Sequence, residues 1–268
     1  MDIKKLTEAV RALAAEAGGK LIGARKDFSL RRVEEKRTHD YVSYVDKQSE
    51  KFITERLHAL LPEAGFIAEE GTAKRAQEEK YCWLVDPLDG TSNFIRNNAP
   101  YCVSIALRDK EQVLLGVVYE CTRNELFWAN VNSKAYLNGV EIQVSKQTDL
   151  NQSFIQLGFP YDAERYRSFV VELIRSLYGN VGCVRLQGSA AAELCYIAAG
   201  RFEARIEALL GPWDIGAGNI ILRQAGGIMT RFDGNPDCLD AKEVLASNGA
   251  VHAALVAVVK KHRHLLKI

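Results

Sequence analysis

No run of this 268-residue chain reaches the ~20 consecutive apolar residues that a membrane-spanning helix needs. The opening residues, Met1-Asp2-Ile3-Lys4-Lys5, have no continuous apolar core of the signal-peptide kind. Excess charge is missing too. With 35 Lys and Arg against 34 Asp and Glu, the net charge is +1, so no basic field points to nucleic acid or to an anionic membrane as partner. The six cysteines (Cys82, Cys102, Cys121, Cys183, Cys195, Cys238) include no CxxC pair. That argues against a disulfide framework or a thiolate zinc site; free thiols buried in a reducing cytoplasm are expected instead. The five histidines show no ligand spacing, with His39 and His58 read as solvent-facing or structural and His262 and His264 in a basic tail. A GxxxxGK[ST] loop is absent, which speaks against nucleotide-driven transfer. There is no internal repeat, low-complexity tract or proline-rich linker. What remains is 47% hydrophobic and 26% charged, the composition of an ordinary soluble globular protein with a substantial core.

The apolar pattern divides the chain near residue 150. Ile3, Leu6, Val10, Leu13, Ala14, Ala17 and Leu21 form a helical stripe over residues 2–22, weakened at its end by Gly18-Gly19. The next basic cluster, Arg31, Arg32, Lys36 and Arg37, is interrupted by Glu34 and Glu35 and reads as a solvated face. A second helix follows Asp46 and stops at Pro62, and residues 65–68 form a short strand ending at Glu69-Glu70. Residues 101–108, 113–120 and 125–131 read as successive antiparallel strands, and Asn138-Gly139 is a hairpin turn signal. Beyond residue 150, strands (153–157, 183–186, 202–206) alternate with helices (166–178, 189–199, 214–225, and the tail 250–266), the texture of an α/β layer. Residues 1–148 are expected to form an α+β part and residues 149–268 an α/β part, packed tightly together.

The chemistry concentrates in Trp83-Leu84-Val85-Asp86-Pro87-Leu88-Asp89-Gly90-Thr91-Ser92-Asn93-Phe94. An apolar strand stops at two carboxylates three residues apart, and a tight turn leads into Gly-Thr-Ser. Pro87 biases Asp86 towards an extended backbone and Gly90 permits a sharp turn, so the two carboxylates can converge. Together without a counter-charge they repel, which a bound hard cation relieves. The Gly-Thr-Ser segment can open a helix whose free N–H groups face an anion. The same reasoning extends to Asp214 in Gly211-Pro212-Trp213-Asp214-Ile215-Gly216-Ala217-Gly218, where small residues after the acid permit close backbone approach to whatever it binds. Asp46, Glu69 and Glu70 also sit at strand ends or helix starts, where an ordinary helix cap is the competing explanation. A divalent metal beside a phosphate seat implies phosphoryl chemistry.

Residues 83–94 and 211–218, with Asp40-Tyr41-Val42-Ser43-Tyr44-Val45-Asp46, Ile67-Ala68-Glu69-Glu70 and Gly188-Ser189-Ala190-Ala191, resemble the inositol monophosphatase family of Mg²⁺-dependent, lithium-sensitive phosphatases, in family order and spacing. The resemblance spans nearly the whole chain. It implies a layered αβαβα sandwich with the metal site between the two parts, and hydrolysis of myo-inositol monophosphate by metal-activated water. It assigns Glu69, Asp86 and the Leu88 carbonyl to a first Mg²⁺, and Asp86, Asp89 and Asp214 to a second. A third, weaker Mg²⁺ is expected near Glu69. Gly90, Thr91 and Ser92 would hold the phosphate, and Asp46 would bond the Thr91 hydroxyl, which with Glu69 orients the attacking water. Asp89, Gly188, Ser189, Ala190, Glu207 and Asp214 would line the substrate's alcohol side. A cytoplasmic homodimer acting on a small phosphorylated polyol is implied, with Li⁺ competing at one metal position.

The same core motif serves relatives that cleave fructose 1,6-bisphosphate or 3′-phosphoadenosine nucleotides. These, with histidinol phosphate, remain alternative substrates, and a non-catalytic regulatory homologue is the alternative of another class. Arg96 stands where many members carry histidine, and Glu35 and Lys36 precede Asp40 where some use a basic residue. Arg185, Arg201 and Arg205 are open to two readings, contact with a phosphate or subunit partner, or surface ion pairs. Trp83, Trp128 and Trp213 read as core or core-edge aromatics.

Overall fold

The N-terminal apolar stripe forms α1 (Ile3–Lys26), opened by the Asp2 side chain accepting from the Lys5 N–H at 3.2 Å. In the computed structural model, which describes residues 1–29, 33–37, 40–73 and 79–266, this helix runs straight through Gly18-Gly19. Gly18 faces the Tyr119 ring so closely that a Cβ there would overlap it, so the glycine serves packing and does not end the helix. A short antiparallel hairpin, β1 (Val33–Arg37) and β2 (Asp40–Ser43), leads into α2 (Tyr44–Leu60). Ser43 and Asp46 cap α2 reciprocally, which puts Asp46 inside its first turn. Arg31, Arg32 and His39 lie outside the described residues.

Seven strands follow in one sheet, hydrogen-bonded in chain order: β3 (Gly65–Ala68), β4 (Cys82–Asp89), β5 (Cys102–Arg108), β6 (Val113–Glu120), β7 (Glu125–Asn130), β8 (Ala135–Leu137) and β9 (Val140–Ile142). Only the β3/β4 pair is parallel. Asn138 and Gly139 take φ of 49° and 84°, the left-handed pair that a tight hairpin between β8 and β9 requires. As the sequence predicts, β4 ends at the pair of acids. It runs through Pro87 to Asp89, and its register against β5 slips between those two acids. The irregularity accommodates a proline that has no N–H for the ladder. A short helix, α3 (Thr91–Arg96), follows immediately.

The second half builds a five-stranded sheet in the order β11 (Cys183–Arg185), β10 (Phe154–Leu157), β12 (Ala204–Ala208), β14 (Glu243–Ser247), β13 (Ile228–Thr230). The first three strands run parallel and the last two pairings are antiparallel. Helices α4 (Ala163–Leu177) and α7 (His252–His262) cover one face with a core of Phe169, Leu173, Leu245 and Leu255. Helices α5 (Ala190–Ala198) and α6 (Pro212–Gln224) lie between the sheets and share a core with both. On the far face of the seven-stranded sheet, α1 and α2 bury Val10, Leu13, Ile53 and Leu57 against Trp83, Val85 and Val117. The layers therefore run helix, sheet, helix, sheet, helix, the expected αβαβα sandwich. No helix among the described residues is long and apolar enough to cross a membrane.

The small residues after Asp214 have a different use from the one their position suggested. A Cβ on Gly216 would meet Leu84 at 2.5 Å, and one on Gly218 would meet Leu194 at 2.6 Å. They seat α6 against β4 and α5 rather than against a ligand. Gly116 answers from the sheet side, where a Cβ would lie 2.6 Å from the Ala217 carbonyl. The six cysteines are free, five of them buried.

Candidate active site

Where β4 ends, its irregular register turns Asp86 and Asp89 towards the first turn of α6. There the carboxylates of Asp86, Asp89 and Asp214 offer oxygens within 4.8 Å of one another. Asp86 and Asp89 are buried and Asp214 half-buried. Burial raises the Asp86 carboxyl well above its ordinary value, and the charges of Glu69, Asp89 and Asp214 add to it. Asp214 is raised in the same way by burial, Glu69 and Asp89, while the Gly211 N–H and Arg205 oppose the shift. Three like charges so placed favour a cation, and an all-oxygen donor set suits a hard divalent one.

Each acid is also fixed by the backbone. Asp86 Oδ1 accepts from the Leu88 N–H at 3.0 Å, and Asp214, at the third position of α6, accepts from the Gly211 N–H at 2.6 Å. Asp89 accepts from the Ser189 hydroxyl at 2.6 Å and from the Ala190 and Ala191 N–H groups at 3.1 and 2.7 Å. It thus caps α5 from across the molecule. The Cys102 thiol adds a weak fourth donor to Asp89 Oδ2 at 3.5 Å, so Oδ1, which accepts only the Ala190 N–H, is the oxygen left for a cation or a hydroxyl.

Beside the acids, Gly90 adopts φ 90° and opens α3. A Cβ on it would sit 2.8 Å from the Pro100 carbonyl and 3.3 Å from that of Gly188, so the turn needs glycine for space as well as for conformation. The first N–H groups of a helix have no carbonyl inside it to bond, and here they belong to Thr91, Ser92 and Asn93. The Thr91 hydroxyl lies 2.8 Å from Asp46 Oδ1 and 3.0 Å from the Leu88 carbonyl. Asp46 is fully buried, which raises its carboxyl, while hydrogen bonds from Ser43 and Thr91 draw it back down.

Glu69 leaves the end of β3 with its N–H on the Val85 carbonyl at 3.1 Å, and its charge is the strongest of those acting on Asp86 and Asp214. It stands outside the three-acid cluster. Glu70 and Thr72 are held through their N–H groups by Glu50, at 2.7 and 2.5 Å. Ser189 and Ala190 lie against Asp89, Gly188 faces Asn93, and Glu207 sits over Gly158 with its carboxylate paired to Arg205.

Several residues that organise this region are not among the candidate site residues read from the sequence. Glu50 and Ser49 share a face of α2 with Asp46, and the Ser49 hydroxyl bonds the Pro87 carbonyl at 3.2 Å. Asn93 donates to the carbonyls of Pro100 and Gln187, and buried Glu193 accepts the N–H groups of Gln187 and Gly188. Among these only Asn93 belongs to one of the motifs; the others are polar helix residues without local distinction. Of the arginines open to two readings, Arg201 and Arg205 both form ion pairs, but only Arg205 is buried, while Arg201 is half-buried. Arg205 is buried in ion pairs with Glu193 and Glu207, and Arg201 forms a two-pronged pair with Glu125 at 2.7 Å. Arg185 is exposed. Trp83 is fully buried, while Trp128 and Trp213 lie at the core edge.

Residues 2–264 match the model of the inositol monophosphatase family. The chain is 36% identical over 252 residues to "Nus factor SuhB" of Salmonella typhimurium (strain LT2), covering 94% of each protein. It is 35% identical over 264 residues to "Fructose-1,6-bisphosphatase/inositol-1-monophosphatase" of Aquifex aeolicus, covering 97% of each. The crystal structure of extragenic suppressor protein suhB from Bartonella henselae superposes with a TM-score of 0.89 at 32% identity, over 96% of this chain and 99% of that one. With its acids gathered where two sheets meet and this likeness running from end to end, the chain belongs to the inositol monophosphatase family, whose members are metal-dependent phosphatases.

Proposed function

We propose that this protein hydrolyses a small phosphorylated polyol, myo-inositol monophosphate foremost, to the free polyol and phosphate with Mg²⁺ as cofactor. The observation that carries the reading is the convergence of Asp86, Asp89 and Asp214 within 4.8 Å beside the opening turn of α3. Glu69, Asp86 and the Leu88 carbonyl would hold one Mg²⁺, and Asp86, Asp89 and Asp214 a second, with a third near Glu69; all offer the hard oxygens this cation takes. Bound there, Mg²⁺ supplies Lewis-acid polarisation of the phosphoryl group and acidifies water.

The chain's own groups do the rest. Gly90, Thr91 and Ser92 present N–H groups to the phosphate oxygens. The Thr91 hydroxyl donates its hydrogen bond to Asp46, which leaves a lone pair to accept a hydrogen bond from the attacking water and, with Glu69 as the second acceptor, to orient it. Asp89, Gly188, Ser189, Ala190, Asp214 and Glu207 border the alcohol portion, where the Glu207 carboxylate accepts from ring hydroxyls. The work is positioning and charge stabilisation, and no phospho-enzyme is required. A cytoplasmic homodimer, with Li⁺ competing at one metal position, completes the proposal.

Phosphate release from inositol monophosphates, fructose 1,6-bisphosphate, 3′-phosphoadenosine 5′-phosphate and histidinol phosphate, with and without Mg²⁺, tests it. The expected result is Mg²⁺-dependent turnover with an inositol monophosphate preferred. Preference for another substrate would overturn the assignment and leave the chemistry. The name Nus factor carried by the Salmonella relative favours a second, non-catalytic regulatory role. Asp86→Asn separates the two, since an enzyme loses turnover with its fold intact and a scaffold keeps its partner.

A further inference from the structure

Among the described residues, no lysine or arginine is buried as deeply as Arg205, which is 2% exposed. It lies on β12 two residues before Glu207, so both side chains project from one face of the strand. That face is turned to the middle helical layer. The strand neighbours of Arg205 are Gln156 on β10 and Ala246 on β14, and the small alanine leaves room for a guanidinium. Its fork spans two carboxylates, Glu193 reaching down from α5 and Glu207 on its own strand.

Both ends of this bridge lead to substrate-side elements. Glu193 Oε1 accepts the N–H groups of Gln187 and Gly188, each at 2.9 Å, and the Gln156 amide bonds the Gln187 side chain at 2.7 Å. The same loop continues into Ser189, Ala190 and Ala191, which bind Asp89 of the acidic cluster. At the other end the Glu207 carboxyl rests over Gly158, where a Cβ would overlap its carboxyl carbon. Arg205 and Gly158 together therefore dictate where that carboxylate stands. A guanidinium has only donors, so its partner is held as an acceptor.

We propose that Arg205 is a positioning residue for specificity: by bridging Glu193 and Glu207 it holds Glu207 as an oriented acceptor, so that the site favours alcohol portions rich in uncharged hydroxyls over hydroxyl-poor ones. This rests on the phosphomonoesterase reading above. A site built to accept particular hydroxyls discriminates strongly against substrates that lack them, and loosening the acceptor erodes that preference more than it erodes the reaction.

The test compares kcat/KM for inositol 1-phosphate with that for phenyl phosphate, in Mg²⁺, for the wild type and its variants. Arg205→Lys keeps the charge and loses the fork that spans both partners. Glu193→Gln keeps Arg205 but sets an amide N–H₂ against its donors, loosening the bridge from the other end. The ratio of the two kcat/KM values is expected to fall about 10-fold or more in each, chiefly through KM for the inositol ester. The double variant R205K/E207Q is expected to show the same ratio as E207Q alone, because Arg205 acts through Glu207. An unchanged ratio, with both substrates slowed equally, or additive effects in the double variant, would reduce Arg205 to a structural ion pair. Should R205K not fold, the ratio in E193Q decides. A wild type that shows no preference for the inositol ester would overturn the functional reading itself, a failure seen before any variant is made.

Discussion

Thr91 has one hydroxyl proton and two acceptors in reach, Asp46 Oδ1 at 2.8 Å and the Leu88 carbonyl at 3.0 Å. The carboxylate is the stronger acceptor, so the proton turns inward and the lone pairs outward. Thr91→Val retains the shape of the side chain but removes the relay and the donor to buried Asp46 Oδ1. We expect its kcat to fall by about 100-fold or more, and its urea midpoint to fall as well because a buried carboxylate oxygen loses its partner. Steady-state phosphate release and equilibrium unfolding check the two halves of that statement. Asp46→Asn is the less clean change, because an amide would face the Ser43 N–H and hydroxyl donors that Asp46 Oδ2 now accepts, and the α2 cap would fail with the relay. Thr91 and Asp46 were legible because both lie in short motifs whose turn chemistry and order are distinctive. Glu50, Glu193 and Arg205 were not. Buried charged side chains are exceptions to a strong rule, and nothing local distinguishes such a residue from one on a solvated face.

Helix α2 illustrates how one element can serve two layers at once. Ile53 and Leu57 bury its apolar stripe against the sheet, while Asp46, Ser49 and Glu50, spaced to lie on one side, hold Thr91, the Pro87 carbonyl and the segment following Glu69. The sequence pattern reveals the apolar face, whereas the polar one is indistinguishable from ordinary solvated surface. The contact of α6 with its sheet is concealed in the same way, because Gly116 and Gly216 take their meaning from atoms far away in the chain. At the opposite side of the molecule, α7 begins at His252, whose ring nitrogens meet the hydroxyls of Thr230 on β13 at 3.0 Å and Ser247 on β14 at 2.8 Å. Burial lowers this imidazole below its ordinary value of 6.5. The unfolded chain therefore takes up the proton first as pH falls. The native advantage is complete above about pH 6.5 and declines as pH drops below it towards the folded-state value. The urea midpoint of the wild type should consequently fall between pH 7.5 and 5.5 by more than that of His252→Gln. Equal declines would assign the acid sensitivity to other groups.

At the scale of the whole molecule, the strands of the first sheet could be read in order because neighbours in sequence are neighbours in space, joined by turns such as Asn138-Gly139. The second sheet could not, since β13 and β14 are short and their antiparallel pairing beside the parallel β10, β11 and β12 depends on contacts distant in sequence. The same distance separates Asp214 from Asp86 and Asp89, and joining them brings like charges together at the meeting of the two sheets. Folding thus works against this repulsion, and a divalent cation that binds the assembled acids but not the unfolded chain returns stability by mass action. At a hundred times its dissociation constant the gain is about 2.7 kcal/mol. For a domain of this size each kcal/mol is worth about 2–4 °C, so Mg²⁺ added after chelator treatment should raise Tm by about 5–10 °C. Asp86→Asn and Asp214→Asn should each have a Tm at or above that of the metal-free wild type, having removed one of the repelling charges, and should respond to Mg²⁺ weakly. Thermal unfolding across a Mg²⁺ titration, with Na⁺ at matched ionic strength as control, separates site binding from general screening. A wild-type Tm that follows ionic strength alone would mean that the three acids do not act as one cation site.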